Sequence, residues 1–186
     1  MKTLGIKNKK QELLSILKKK AFHRGRVVLS SGKISSYYLD ARVVTLTSRG
    51  AYLVGELILD LIKNDKIQAI GGPTLGADPI VGAIGVLSYL KKKPINTFIV
   101  RKEAKGHGRK KQIEGPDLKK GKEVILIDDV ATTGKAIKEA IKVMRELKIP
   151  VKKAIVLIDR REGAKEALAS VGCKLVALFN PEDFGI

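Results

Sequence analysis

Short apolar runs alternate with amphipathic helical periods along this sequence, and few architectures accommodate that rhythm. Ile67–Gly71, Asn96–Val100, Glu123–Ile127, Ala154–Ile158 and Lys174–Phe179 read as strands. Between them Ser48–Lys63, Asp78–Leu90, Lys135–Leu147 and Gly163–Val171 read as helices, the first with Leu53, Leu57, Ile58, Leu61 and Ile62 on one face. Strands apolar on both faces and joined by helices predict a parallel sheet covered on both sides. Upstream, Gln11–Lys20 is a short amphipathic stretch with Leu13, Leu14 and Leu17 at helical spacing. Arg26–Leu29 and Tyr37–Val44 read as strands flanking the turn at Ser30–Lys33. Ser48 is the expected cap of its helix, Pro150 the expected end of the Lys135 helix, and Arg101–Lys122 a long, polar, basic segment. The 186 residues fit one α/β domain with an N-terminal extension.

Composition removes several classes of function. A hydrophobic fraction of 44% suits a packed core and excludes a disordered chain. No apolar run approaches the roughly 20 residues of a membrane span. The Lys-rich start has no apolar stretch after it, so no secretory signal is expected. A single cysteine, Cys173, cannot form an internal disulfide; it reads as a buried thiol in a reducing, cytoplasmic compartment. The net charge of +18 suits nucleic acid, a polyanionic small substrate or a solvated surface. Four Phe, four Tyr and no Trp leave little for base stacking, and the lysines are spread along the chain, which argues against a nucleic-acid reader.

The segment Val124–Gly134 carries the chemistry. It joins an apolar strand to a helix, at the strand end where open parallel sheets bind ligands. Asp128 and Asp129 are adjacent carboxylates able to accept hydrogen bonds from sugar hydroxyls. Ala131–Gly134 brings small side chains, hydroxyls and backbone N–H groups to a helix entrance, a binding arrangement for phosphate. The competing interpretation is structural: Asp129, Thr132 or Thr133 could simply cap the next helix. A P-loop is excluded, since Lys135 is followed by Ala136 where a magnesium-binding Ser or Thr is required.

Ile127–Gly134 resembles the phosphoribosyl-diphosphate (PRPP) signature of type I phosphoribosyltransferases. Further segments extend the resemblance, along nearly the whole chain, to the orotate phosphoribosyltransferase family. Leu29–Arg42 is similar to that family's base-holding stretch, and Gly71–Asp78 to its diphosphate-side loop. Val100–Gly108 is similar to its Arg-Lys-Glu…Lys…His-Gly loop, and Arg160 follows a strand where the family places an arginine against the orotate carboxylate. Ser30 and Leu75-Gly76-Ala77 depart from the pattern, since many members carry a lysine at each place. Taken without the resemblance, the basic run Arg101–Lys111 is a solvated surface, His107 an idle loop histidine, and Arg160 indistinguishable from Arg161.

The resemblance implies a type I phosphoribosyltransferase-like α/β fold, its mainly parallel central sheet flanked by helices on both faces and topped by a small N-terminal hood. Residues 1–45 would be the base-binding extension and 103–115 a mobile catalytic loop within one domain, 1–186. The implied reaction is PRPP plus orotate giving orotidine 5′-monophosphate and diphosphate, with magnesium bound by substrate and water and no protein metal ligand. Lys105, His107, Asp128 and Asp129 would be catalytic. PRPP would meet Arg101, Lys102, Lys105, His107, Asp128, Asp129, Val130, Ala131, Thr132, Thr133, Gly134, Lys135 and Ala136. Orotate would meet Thr132 and Arg160, with the backbone near Tyr38 and Leu39. A homodimer with shared active sites and no membrane partner is also implied. The alternatives are a phosphoribosyltransferase for another base and a PRPP-sensing, nucleic-acid-binding regulator.

Overall fold

A computed structural model describes residues 5–28, 34–103 and 112–186, the side chains of Val28, Ile34 and Ser35 excepted. The chain begins with helix α1 (Ile6–Lys20) and the strands β1 (Phe22–Val28) and β2 (Ile34–Leu39), followed by α2 (Arg42–Thr45) and α3 (Ser48–Leu61). Then come β3 (Ala69–Pro73), α4 (Asp78–Leu90), β4 (Asn96–Val100), the short β5 (Ile113–Glu114) and β6 (Val124–Ala131). The last part is α5 (Lys135–Glu146), β7 (Val151–Asp159), α6 (Ala164–Ala169), β8 (Lys174–Phe179) and a 3₁₀ turn at Pro181–Phe184.

Six strands form one sheet in the order β5-β4-β3-β6-β7-β8, parallel except for the antiparallel edge strand β5. Side chains alternate across it, so each central strand feeds two cores. Ile125, Ile127, Ile155 and Leu157 enter the core shared with Leu13 and Leu17 of α1, Leu53 and Leu57 of α3, and Ile80 and Ile84 of α4. Val124, Leu126, Ala154 and Val156 enter the opposite core, with Ile137, Ile141 and Met144 of α5 and Leu168 of α6. The expected parallel sheet with helices on both faces is therefore the observed one.

The strand order places the ligand crevice. From β3 the chain runs outward to β4, then returns across β3 to β6 and continues the other way through β7 and β8. Right-handed crossovers taken in opposite directions put α4 and α5 on opposite faces. They leave a gap between the carboxyl ends of β3 and β6, the topological switch point of an open sheet. The loops after those two strands meet there.

Several local expectations change. Thr47, not Ser48, caps α3: its Oγ1 accepts from Gly50 N at 3.1 Å. The predicted strand Tyr37–Val44 stops at Leu39 and turns into α2, because Asp40 takes up the Arg42 backbone N–H at 3.0 Å. α1 begins at Ile6, ahead of the amphipathic stretch. β6 does not stop at Ile127 but runs through both acids to Ala131, and the basic segment contributes β5 to the sheet edge. α5 ends at Glu146 before Pro150, where Lys148 turns left-handed. Cys173 is buried as expected, and burial pushes its thiol up to about 11.

β1 and β2 form a separate antiparallel hairpin. It reaches the sheet through a row of rings: Tyr37 to Phe22 at 5.8 Å, Phe22 to Phe184 at 5.5 Å, and Phe184 to Phe179 at 6.4 Å. α1, through Leu13 and Leu17, and the hairpin, through Leu39, both pack into the main core. No helix among the described residues is long and apolar enough to cross a membrane.

Candidate active site

The turn after β6 tests the capping alternative directly. The residue that caps α5 is Gly134, in a left-handed conformation (φ 75°), and no side chain hydrogen-bonds the helix start. Asp129, Thr132 and Thr133 therefore do not cap it. Glycine suits this position because an ordinary side chain at positive φ clashes with its own backbone. The first N–H groups of α5 remain available to a ligand at the positive end of the helix dipole. They face a cavity of about 200 Å³ lined by Asp128, Val130–Ala136 and Ile137. Lys135 lines it while its side chain points outward to Glu139, 4.0 Å away and 83% exposed.

The acid pair sits where β6 leaves the core. Asp128 is only 8% exposed, and its Oδ1 accepts from Asp129 N at 2.9 Å; Asp129 Oδ1 accepts from Val130 N at 2.7 Å. Burial first, then the neighbouring Asp129 charge, pushes the Asp128 carboxyl well above the usual range. Burial also raises Asp129, although the Val130 N–H and the Arg42 guanidinium pull the other way. Arg42 is itself shared, because its Nε and Nη2 grip Asp40 at 3.0 and 3.2 Å. Two acids are thus held in low dielectric with too few donors, an arrangement that hydroxyl-rich ligands relieve.

The loop after β3 closes over this pair. A Cβ at Gly76 would stand 2.3 Å from Asp128 Oδ1 and 2.4 Å from Asp129 Oδ1. Any side chain at this position would have to displace those carboxylates. On the same loop, Thr74 Oγ1 donates to Asp78 Oδ2 at 2.8 Å, and Asp78 Oδ1 is buried with no hydrogen-bond partner among the described residues. Thr74 and Asp78 line a second cavity of about 540 Å³ with Arg101, Lys102 and Glu103. A third, about 160 Å³, joins Arg101 and Lys102 to Ala136 of α5. Arg101 is steadied by Glu114 at 3.3 Å and by its backbone N–H to Gln112 O at 2.8 Å. Lys105 and His107 lie outside the described residues, as do Ser30, Lys33 and most of the segment 103–115.

Arg160 and Arg161 are told apart by burial. Arg161 turns outward in a left-handed conformation and pairs with Glu182. Arg160 is buried at 8% exposure, its N–H donating to Ala131 O at 2.9 Å beside Thr132. Its Nε donates to Glu162 Oε1 at 2.7 Å, and its guanidinium lies 4.5 Å from the Tyr37 ring centroid. Burial raises the Tyr37 hydroxyl above its ordinary value against the opposing Arg160 charge.

Among the described site residues, Asp128 and the helix entrance line one cavity, Arg101 and Lys102 line two others, and Arg160 is tied by its backbone to Ala131 of the same turn. Among the described residues no three His, Cys, Asp or Glu side chains are grouped to hold a metal ion. A larger cavity of about 880 Å³ lies away from the crevice, near the amino ends of β3 and β4. Glu56 on its wall takes both Lys9 and, at 2.8 Å, Lys91.

With this geometry in place, known proteins supply a family. A model of the phosphoribosyl transferase domain matches residues 41–178. The orotate phosphoribosyltransferase of Nostoc sp. is 43% identical over 181 residues, 97% of this chain and 87% of that protein. The chain belongs to the orotate phosphoribosyltransferase family. Another relative, the orotate phosphoribosyltransferase of Aquifex aeolicus, is 44% identical over 151 residues, 81% of this chain and 82% of that one. Among solved structures, the Mycobacterium tuberculosis orotate phosphoribosyltransferase in complex with PRPP superposes with a TM-score of 0.80. It is 31% identical and covers 96% of this chain and 99% of that one. Sequence reasoning gave no account of the contacts that Gly76, Asp78, Arg42, Tyr37 and Glu162 make around this site. Gly76 carried a visible signal in its departure from lysine, whereas the others are recognised only by what they touch.

Proposed function

We infer that this chain transfers the 5-phosphoribosyl group from PRPP to orotate, forming orotidine 5′-monophosphate and diphosphate in de novo pyrimidine biosynthesis. One observation carries the reading: buried Asp128, beside the half-buried Asp129, lines one cavity with the uncapped start of α5, and buried Arg160 is tied to Ala131 of the same turn. The relatives favour orotate over another base or a regulatory role, since their identity runs through the hairpin that precedes the general domain match.

Each part has a chemical task. Asp128 and Asp129 accept hydrogen bonds from the ribose hydroxyls and face the positive charge that develops at C1 as diphosphate departs. The N–H groups of α5 and the Val130–Ala136 turn hold the 5′-phosphate, with Thr132 and Thr133 adding hydroxyl donors. Arg101 and Lys102 meet the diphosphate side, and Lys105 and His107 close over it. Arg160 forms a bidentate pair with the carboxylate that orotate has and uracil lacks. Magnesium, when bound to diphosphate and ribose oxygens and to water, supplies charge neutralisation for the leaving group.

Incubation with PRPP, magnesium and each candidate base tests the function. Orotate alone should be consumed; consumption of a purine or uracil in its place would overturn the assignment. Arg160→Ala should raise the orotate KM about tenfold or more, the range of a charge-assisted hydrogen bond, with PRPP affinity little changed. A fall in PRPP affinity instead would move Arg160 off the base side.

A homodimer with shared sites belongs to the same reading. α4 is apolar on every side, and Val86, Tyr89 and Leu90 stand 63%, 74% and 68% exposed, a face that a second copy would cover. If the segment 103–115 serves the neighbouring subunit, mixing inactive Lys105→Ala and Asp128→Asn dimers should restore activity, because exchange creates one intact site. No recovery after subunit exchange would place the loop in its own subunit. The lone buried thiol of Cys173 suits a reducing cytoplasm.

A further inference from the structure

We propose that Tyr37 is a positioning residue for the acceptor base, holding the plane of Arg160 so that its guanidinium meets the substrate carboxylate edge-on. The inference rests on the orotate reading above and extends it to a residue on a different sheet. A guanidinium recognises a carboxylate through two parallel N–H donors, so its plane matters as much as its position. A side chain with four rotatable bonds does not keep one plane unaided.

Here several contacts fix it. The backbone N–H of Arg160 is tied to Ala131 O at 2.9 Å, which anchors the residue beside the PRPP turn. Its Nε donates to Glu162 Oε1 at 2.7 Å, fixing rotation within the plane. The Arg160 Cζ lies over the Tyr37 ring, 4.5 Å from its centroid, and the Tyr37 hydroxyl shares a hydrogen bond with the Arg160 side chain; together they restrict tilt. Tyr37 belongs to β2, in the hairpin rather than the main sheet, and is braced through Phe22 and Phe184 against Phe179 at the end of β8. The hairpin thereby reaches base recognition through a side chain as well as its backbone. The bland alternative is that Tyr37 only covers a buried arginine and stabilises the fold.

Kinetics with orotate and PRPP separate the two roles. Tyr37→Leu should raise the orotate KM roughly tenfold, within the range of a desolvated cation–π contact, and leave the PRPP KM within about twofold. Tyr37→Phe keeps the ring and loses only the hydroxyl's hydrogen bond to Arg160, so it should recover most of the orotate KM. In an Arg160→Ala background, Tyr37→Leu should add nothing further, since both changes remove one interaction. Equal loss toward both substrates, failure of Tyr37→Phe to rescue, or additive effects in the double variant would overturn the positioning role. If the wild-type chain does not consume orotate, the family reading fails. If it does and Tyr37→Leu is silent, only the positioning role fails.

Discussion

Asp128→Asn is expected to lower turnover by about 10²–10³-fold while making the protein harder to melt, the first magnitude being that of removing one preorganised electrostatic group from a reacting centre. The two effects share a cause. Asp128 is a buried carboxylate beside a second one, and burial together with that neighbour raises its proton affinity in the folded state. In the unfolded chain it titrates in the ordinary carboxylate range. Between those two values the folded state binds more protons than the unfolded state. Stability attributable to this group is therefore fully present below the ordinary range and is lost as pH rises through the raised value. At neutral pH, above the ordinary carboxylate range, the wild-type fold bears the cost of that raised proton affinity. Asparagine keeps the shape without the charge, so its Tm should exceed that of the wild type at neutral pH, with the gap closing in acid. For a chain of this length each kcal/mol recovered is worth about 2–4 °C.

The same substitution removes a negative acceptor from the position where ribose hydroxyls and a developing positive charge would sit. Thermal melts across a pH series and kcat/KM for PRPP measure both sides. A variant that is less stable at neutral pH would refute the electrostatic account of the pair. One that turns over normally would take Asp128 out of the mechanism.

Gly76→Ala should lose about a hundredfold in kcat/KM with little change in Tm. The added methyl carbon would stand 2.3 and 2.4 Å from the two Oδ1 atoms and 2.8 Å from Asp129 Cγ. These obstacles are side-chain tips rather than backbone, so the fold can accommodate the methyl by turning the carboxylates aside. Catalysis cannot, because a displacement on the order of 1 Å at a reacting centre costs about 10²-fold. Steady-state kinetics with PRPP beside a thermal melt would expose the split. Wild-type kinetics would mean the carboxylates have slack; a collapsed Tm would mean that the loop, not the acids, absorbs the strain. The glycine is thus a condition of how closely this loop approaches the acids, rather than simply a lost lysine.

Much of this could be read along the chain. The alternation of apolar strands and helices predicted a parallel sheet with two covered faces, because side chains on a buried strand must be apolar on both sides. The acid pair followed by small and hydroxylated residues marked the ligand turn, since a strand end and a helix entrance adjoin there whatever the rest of the fold does. Boundaries read less well. Nothing local to Asp128 or Asp129 says that β6 continues through them, because the pairing partners that extend it, Val156 and Ile158, lie on β7.

Position along the chain could not separate Arg160 from Arg161, nor say whether Thr132 and Thr133 cap α5 or leave it open. Those answers depend on contacts between residues far apart in sequence: Tyr37 over Arg160, Gly76 against the acid pair, Gly134 in a left-handed turn. Local pattern reports what a residue can do. Packing sets the dielectric, partners and clearance around it, and so fixes which carboxylate is strained, which arginine faces the site and where a glycine is obligatory.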